Sequence, residues 1–247
     1  MTATTFGRRI PARRTSTRLL NVARLHHAAS PLLIVWPIGV VAVSFAIALA
    51  IFFVTGDDAS DSSFTGGVFS LYAFTLAFYL QALTQTFPFA LGLSVTRREY
   101  FTATTLVAVS QSTVFGAALF VLALGERVTN GWGVHMRMFD IPAYWTDNPI
   151  LQLLTPIVSL FLVTTIGLFV GCIHQRWRTQ GLLTAGLTVA VALGISAIVV
   201  TWQRWWLDIG HWFADIPRAY PLVVFPALAA AVALAGAWVI LRRTAPA

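Results

Sequence analysis

Six apolar runs punctuate the chain, at about 31–54, 67–93, 101–124, 150–172, 182–202 and 219–241, and none contains an acid or an arginine. Each has about twenty residues or more, the length an α-helix needs to cross a hydrocarbon layer of about 30 Å. The pattern predicts an all-α polytopic membrane protein with six transmembrane helices. Residues 1–30 form a polar leader, 31–243 the six-helix domain and 244–247 a tail. Pro37, Pro88, Pro156 and Pro226 fall inside the runs, which membrane helices tolerate when neighbours satisfy the freed carbonyls. The connections at 94–100 and 173–181 are so short that each pair of flanking helices is expected to form a tight antiparallel hairpin.

Charge orients these runs. The chain has no lysine. Arg8, Arg9, Arg13, Arg14, Arg18, Arg24, Arg97, Arg98, Arg176, Arg178, Arg242 and Arg243 all lie in alternate polar pieces, with Glu99 the one acid beside them. The other pieces hold Arg127, Arg137, Arg204 and Arg218 together with Asp57, Asp58, Asp61, Glu126, Asp140, Asp147, Asp208 and Asp215. Arginine beside short loops marks the cytoplasmic side, so both termini are expected in the cytoplasm. A mean hydropathy of +0.77 with 10% charged residues lies outside the soluble range. The basic balance, placed beside apolar runs, fits membrane lipids and not nucleic acid. The first apolar run starts near Pro31 and is too long for a signal-peptide core. Residues 16–29 predict either a short interfacial helix, with Leu19, Val22 and Ala23 toward lipid, or a disordered basic tail.

Chemistry is sparse. Without lysine the chain cannot contain a phosphate-binding P-loop, so any ATP hydrolysis belongs to another polypeptide. No catalytic constellation assembles and no cofactor is implied, so the chain is not expected to be an enzyme by itself. Cys172 is the one cysteine, which excludes an intrachain disulfide. No carboxylate or histidine lies inside a run, which argues against ion-coupled transport. His26 and His27 in the leader and His174 in the 173–181 connection are expected at headgroup level. The neutral polar side chains Gln81, Gln85 and Gln111 either line a translocation path or cross-link the second and third helices, and the second reading is the simpler. Gly167 and Gly171 permit close helix approach, within the chain or at a dimer seam. Residues 202–218 carry Trp202, Trp205, Trp206 and Trp212 and are expected at the interface. Asp208, His211 and Asp215 share a helical face there, which reads as solvated and not as a metal site. Residues 125–149 read most simply as a loose external loop.

The stretch FPFALGLSVTRREYF, residues 87–101, carries the most specific signal. Gly92, Ser94, Thr96, Arg97, Arg98, Tyr100 and Phe101 resemble the Gly-x-(Ser/Thr)-Arg-Arg-aromatic pattern after the second helix of ABC-2 type transporter permeases. Six spans, a basic lead-in and the terminal pair Arg242–Arg243 resemble that family too. The resemblance implies an ABC-2-like fold whose coupling element, Thr96, Arg97, Arg98, Glu99 and Tyr100, contacts a separate ABC ATPase subunit. It also implies a second permease, in a homodimer or heterodimer, and a role in export. Abundant alanine, and arginine used without lysine, point to the plasma membrane of a GC-rich bacterium. The alternative is a membrane-embedded accessory or scaffold protein with no path of its own.

Overall fold

The computed structural model describes residues 34–55 and 64–243. The expected interfacial helix at 16–29 and the tail at 244–247 lie outside the described residues. The described chain is predominantly helical: α1 (Trp36–Thr55), α2 (Gly66–Gly92), α3 (Arg97–Val128), α4 (Pro149–Trp202), α5 (Trp206–Asp215) and α6 (Tyr220–Arg242). Phe64 and Arg137 form one isolated parallel bridge. All of these helices except α5 are long and apolar enough to cross a membrane, five in total.

Two helices meet their prolines with the same device. In α2, residues Ala82–Thr86 form a π turn immediately before Phe87-Pro88, and the Phe87 N–H bonds the Ala82 carbonyl. In α6, Tyr220–Val224 form a π turn before Phe225-Pro226, closed by the Phe225 N–H on the Tyr220 carbonyl. The wider turn carries the carbonyl four residues back away from the proline ring, relieving the clash that proline imposes inside a regular helix.

The expected connection at 173–181 is not a loop. Helical geometry runs through it except at Arg178, whose φ of 56° and ψ of −151° divide α4 into arms 149–177 and 179–202. The stretch 173–181 (IHQRWRTQG) has no proline, and its one glycine stands at the far edge, so nothing in it ends a helix earlier. Along the first arm, Gly236 of α6 faces Phe169, and Ile240 lines one hollow with Ile173 and Trp177. The α6 helix therefore runs in the same direction as 149–177.

Close packing joins α2, α3, α6 and the first arm of α4. A Cβ added at Gly167 would come within 2.8 Å of the Leu76 carbonyl oxygen, and one at Gly171 within 2.7 Å of the Leu83 Cβ. These two glycines thus seat α4 on α2 of the same chain. One apolar cluster gathers Tyr79, Leu83, Phe87, Tyr100, Leu168 and Leu241, and a second gathers Val68, Leu71, Phe115, Leu119 and Leu160. The second arm of α4 shares little of this. Leu183, Leu187, Leu193 and Ile198 remain about two-thirds exposed.

The second cluster also corrects the loose-loop expectation for 125–149. Met136, Met138, Phe139 and Ile141 are buried in it. The chain turns back to reach it through Asn130, Gly131, Trp132 and Gly133, all with positive φ. Gly131 is required there, because a Cβ would meet the Met136 nitrogen at 2.6 Å. The physical reason for the correction is that four large apolar side chains in a short segment between two helices need a dry seat.

Candidate functional site

At one end of the bundle, residues 93–96 join α2 to α3. Val95 N–H bonds the Ala90 carbonyl at 3.2 Å and Ser94 N–H the Leu91 carbonyl at 3.0 Å, with Ser94 at φ 62°. This is a Schellman ending, with serine in the place usually held by glycine. Thr96 then caps α3: its hydroxyl accepts the Glu99 N–H at 3.2 Å, and the Glu99 carboxylate accepts the Thr96 N–H at 3.1 Å. Two orphan donors are satisfied reciprocally, so one helix stops and the next starts with no slack.

The five residues of the expected coupling element therefore divide. Helix α3 already begins at Arg97, so Arg97 to Tyr100 form its first turn and not a loop. Thr96 and Glu99 build the cap. Tyr100 is buried, packs on Phe87 with ring centroids 5.2 Å apart, and donates its hydroxyl to the Ala82 carbonyl at 2.6 Å. That carbonyl belongs to the π turn, so Tyr100 clasps the start of α3 to the irregular part of α2. Arg97 reaches the Arg242 carbonyl at the end of α6, at 3.4 Å. Arg98 is exposed. Ile240 lines one hollow with Trp177, and Arg176 covers that ring at 4.6 Å. Arg97, Arg98, Arg176, Arg178, Arg242 and Arg243 thus gather at this end.

The three amides separate as well. Gln111 accepts the Tyr79 hydroxyl at 2.7 Å, a cross-link between α3 and α2. Gln81 and Gln85 are exposed on α2, within its apolar length, and their side chains bond no described residue. Thr84, between them, turns its hydroxyl back onto the Leu80 carbonyl at 3.1 Å. Tyr72 and Tyr79, unremarked in the sequence, supply much of the polar glue, and Tyr72 pairs with Ser159 at 3.0 Å. Their signal was present: a phenol inside an apolar run needs a partner, and these two stand seven residues apart on one helix face.

The opposite end carries the cap made by 129–148. Glu126, buried, accepts the Met138 and Phe139 N–H groups at 2.7 Å each. Arg127 pairs with Asp140 through Nε at 2.9 Å. Helix α5 lies at this end too, with Trp206, Ile209, Trp212 and Phe213 on one face and Asp208, His211 and Asp215 on the other. Trp212 stacks on Phe225 of α6, with ring planes 12° apart. No group of three metal-ligating side chains occurs among the described residues. Comparison with protein-family models, with curated proteins and with solved structures returned no match.

Proposed function

We propose that the chain is the transmembrane subunit of an ABC-2-like transporter, an exporter in a bacterial plasma membrane, driven by a separate ATPase and paired with a second permease. The observation that carries this reading is the 93–96 turn. It is short, capped on both sides, clasped to α2 by Tyr100 and tied to α6 by Arg97. A push on it from a docked partner moves three helices together instead of being lost in a flexible loop. Gln81 and Gln85 add support, because amides exposed at membrane depth call for a polar path or a partner surface.

In this reading α4 crosses the membrane twice, giving six spans. An unbroken 54-residue helix would be about 81 Å long, far more than a bilayer needs. Helix α6 starts at the end where 149–177 starts, and only residues 203–219 are left to reach it from Trp202. The second arm must therefore return to that end, with the fold-back at Arg178. The basic end then faces the cytoplasm, and both termini lie there.

The test replaces Arg97 and Arg98 by Gln together, which removes charge but leaves the Thr96–Glu99 cap intact. We expect normal insertion with transport uncoupled from ATP hydrolysis. A cysteine at exposed Leu93, in a Cys172→Ser background, is expected to cross-link to the ATPase. If the double Gln variant binds its ATPase unchanged and transports at the full rate, the arginines are membrane anchors and the scaffold reading replaces this one.

A further inference from the structure

Three of the four arginines from the acid-rich pieces, Arg127, Arg137 and Arg218, line one open hollow of about 530 Å³ at the end of the bundle opposite the 93–96 turn. They come from the end of α3, the cap and the approach to α6, so the fold and not sequence proximity assembles them. We propose that this hollow binds a phosphate-type oxyanion.

The hollow is built in steps. Asp140 is the fixed centre: one of its carboxylate oxygens accepts Arg127 Nε at 2.9 Å and the Trp145 indole N–H at 3.0 Å. Arg127 holds the same oxygen with Nη2 and extends its third nitrogen, Nη1, to Gln152 at 3.2 Å. Trp145, held by Asp140, supports the Arg137 guanidinium 4.9 Å above its ring. Stacking of that kind orients the guanidinium plane and leaves its N–H edge for a ligand. Arg137 itself is positioned by backbone, through the Thr65 N–H on its carbonyl at 2.7 Å. Neither Arg137 nor Arg218 has a hydrogen bond or ion pair with any described side chain.

The charges decide what fits. Arg127 and Asp140 neutralise each other, which leaves Arg137 and Arg218 against Asp147 on the rim. An anion with several oxygens suits two guanidinium forks better than one carboxylate does, because each fork presents parallel N–H donors. The hollow adjoins an apolar cleft that shares Arg127, Asp140 and Gln152 and is walled by Leu119, Phe120, Leu124 and Ile141. A lipid phosphate with its apolar part against that wall and a free inorganic phosphate both carry the required group. The inference does not rest on the permease reading.

The test uses the full chain in nanodiscs of phosphatidylcholine with or without phosphatidylglycerol, and separately in detergent titrated with inorganic phosphate. Retained lipid is read by native mass spectrometry and phosphate by calorimetry. The variants are Arg137→Gln with Arg218→Gln, Arg218→Gln alone, and Arg204→Gln as an arginine outside the hollow. Selective retention of phosphatidylglycerol, weakened about tenfold or more by the double variant and unchanged in Arg204→Gln, supports the proposal with lipid as the source. Phosphate binding with the same variant pattern but no lipid selectivity supports it with a free anion. Arg218→Gln, an exposed change, carries the test if the double variant misfolds, and is expected to weaken binding in the same direction. Absence of both kinds of binding, or equal loss in Arg204→Gln, overturns it. Asp57, Asp58 and Asp61 precede Phe64, the bridge partner of Arg137. Binding that emerges only after those three become Asn also overturns it, since the chain's own acids would then fill the hollow.

Discussion

Glu126 shows how one side chain can hold an irregular segment in place. Both of its oxygens are taken by the N–H groups of Met138 and Phe139, and those two residues bury their side chains beneath it. Gln in its place keeps one acceptor but turns an NH₂ toward an N–H donor. Glu126→Gln is therefore expected to cost about 1–3 kcal/mol, the usual penalty for a buried polar group left without its partner. Limited proteolysis of the 129–148 cap checks this, with faster cleavage in the variant expected and an unchanged rate counting against the anchor role. In the sequence Glu126 was merely one of several external acids. Its position directly after an apolar run was the available signal, but its partners come from backbone N–H groups, which no residue pattern announces. Tyr100 is a similar case. The spacing of 96–100 suggested a surface motif, yet helical geometry turns the ring inward while Arg98 points out.

Among the elements, α4 departs most from the reading of its residues. Polar residues at 173–181 suggested a connection, and the helix continues through all of them but Arg178. A φ of 56° with ψ near −151° is a conformation nearly confined to glycine and costs other residues about 1–3 kcal/mol. Arg178→Gly is thus expected to raise the thermal midpoint in detergent, while Arg178→Val, β-branched and stiffer, lowers it. A lower midpoint for the glycine variant would show that the Arg178 side chain contributes more than its backbone strain takes away. Charge patterning marked the position of this break; it carried nothing about the break being a single residue long. The π turns were equally invisible in outline, although the repeated Phe-Pro at 87–88 and 225–226 marks both of them.

For the whole molecule, hydropathy alone located helices long and apolar enough to cross a membrane: α2, α3 and α6 begin and end within a few residues of the apolar runs, and α1 ends within one residue of its run. That level is legible because a bilayer imposes length and apolarity on every span. The candidate site was less so. The residues at 96–100 were singled out by their pattern, whereas the split between cap, clasp and exposed arginine depends on packing against α2 and α6. The sidedness proposed from the arginine distribution is open to direct test. Reporter fusions after Asp147 and Ala214 are expected outside, and fusions after Gln180 and Ala247 inside. An external signal at Ala247 requires an odd number of crossings and removes the fold-back at Arg178.

The bare second arm of α4 has a consequence for how the protein holds together away from its lipid. From residue 186 to 199 every residue is exposed. Its backbone bonds run within the helix, but neighbouring helices add little to the free energy of keeping them closed. The amides of 184–199 are therefore expected to exchange with deuterium sooner than those of 155–172 once the bilayer is replaced by detergent, and to regain protection on return to lipid. For this arm the bilayer takes the part that a protein core takes elsewhere, so the choice of solubilising medium sets which portion of the molecule loosens first.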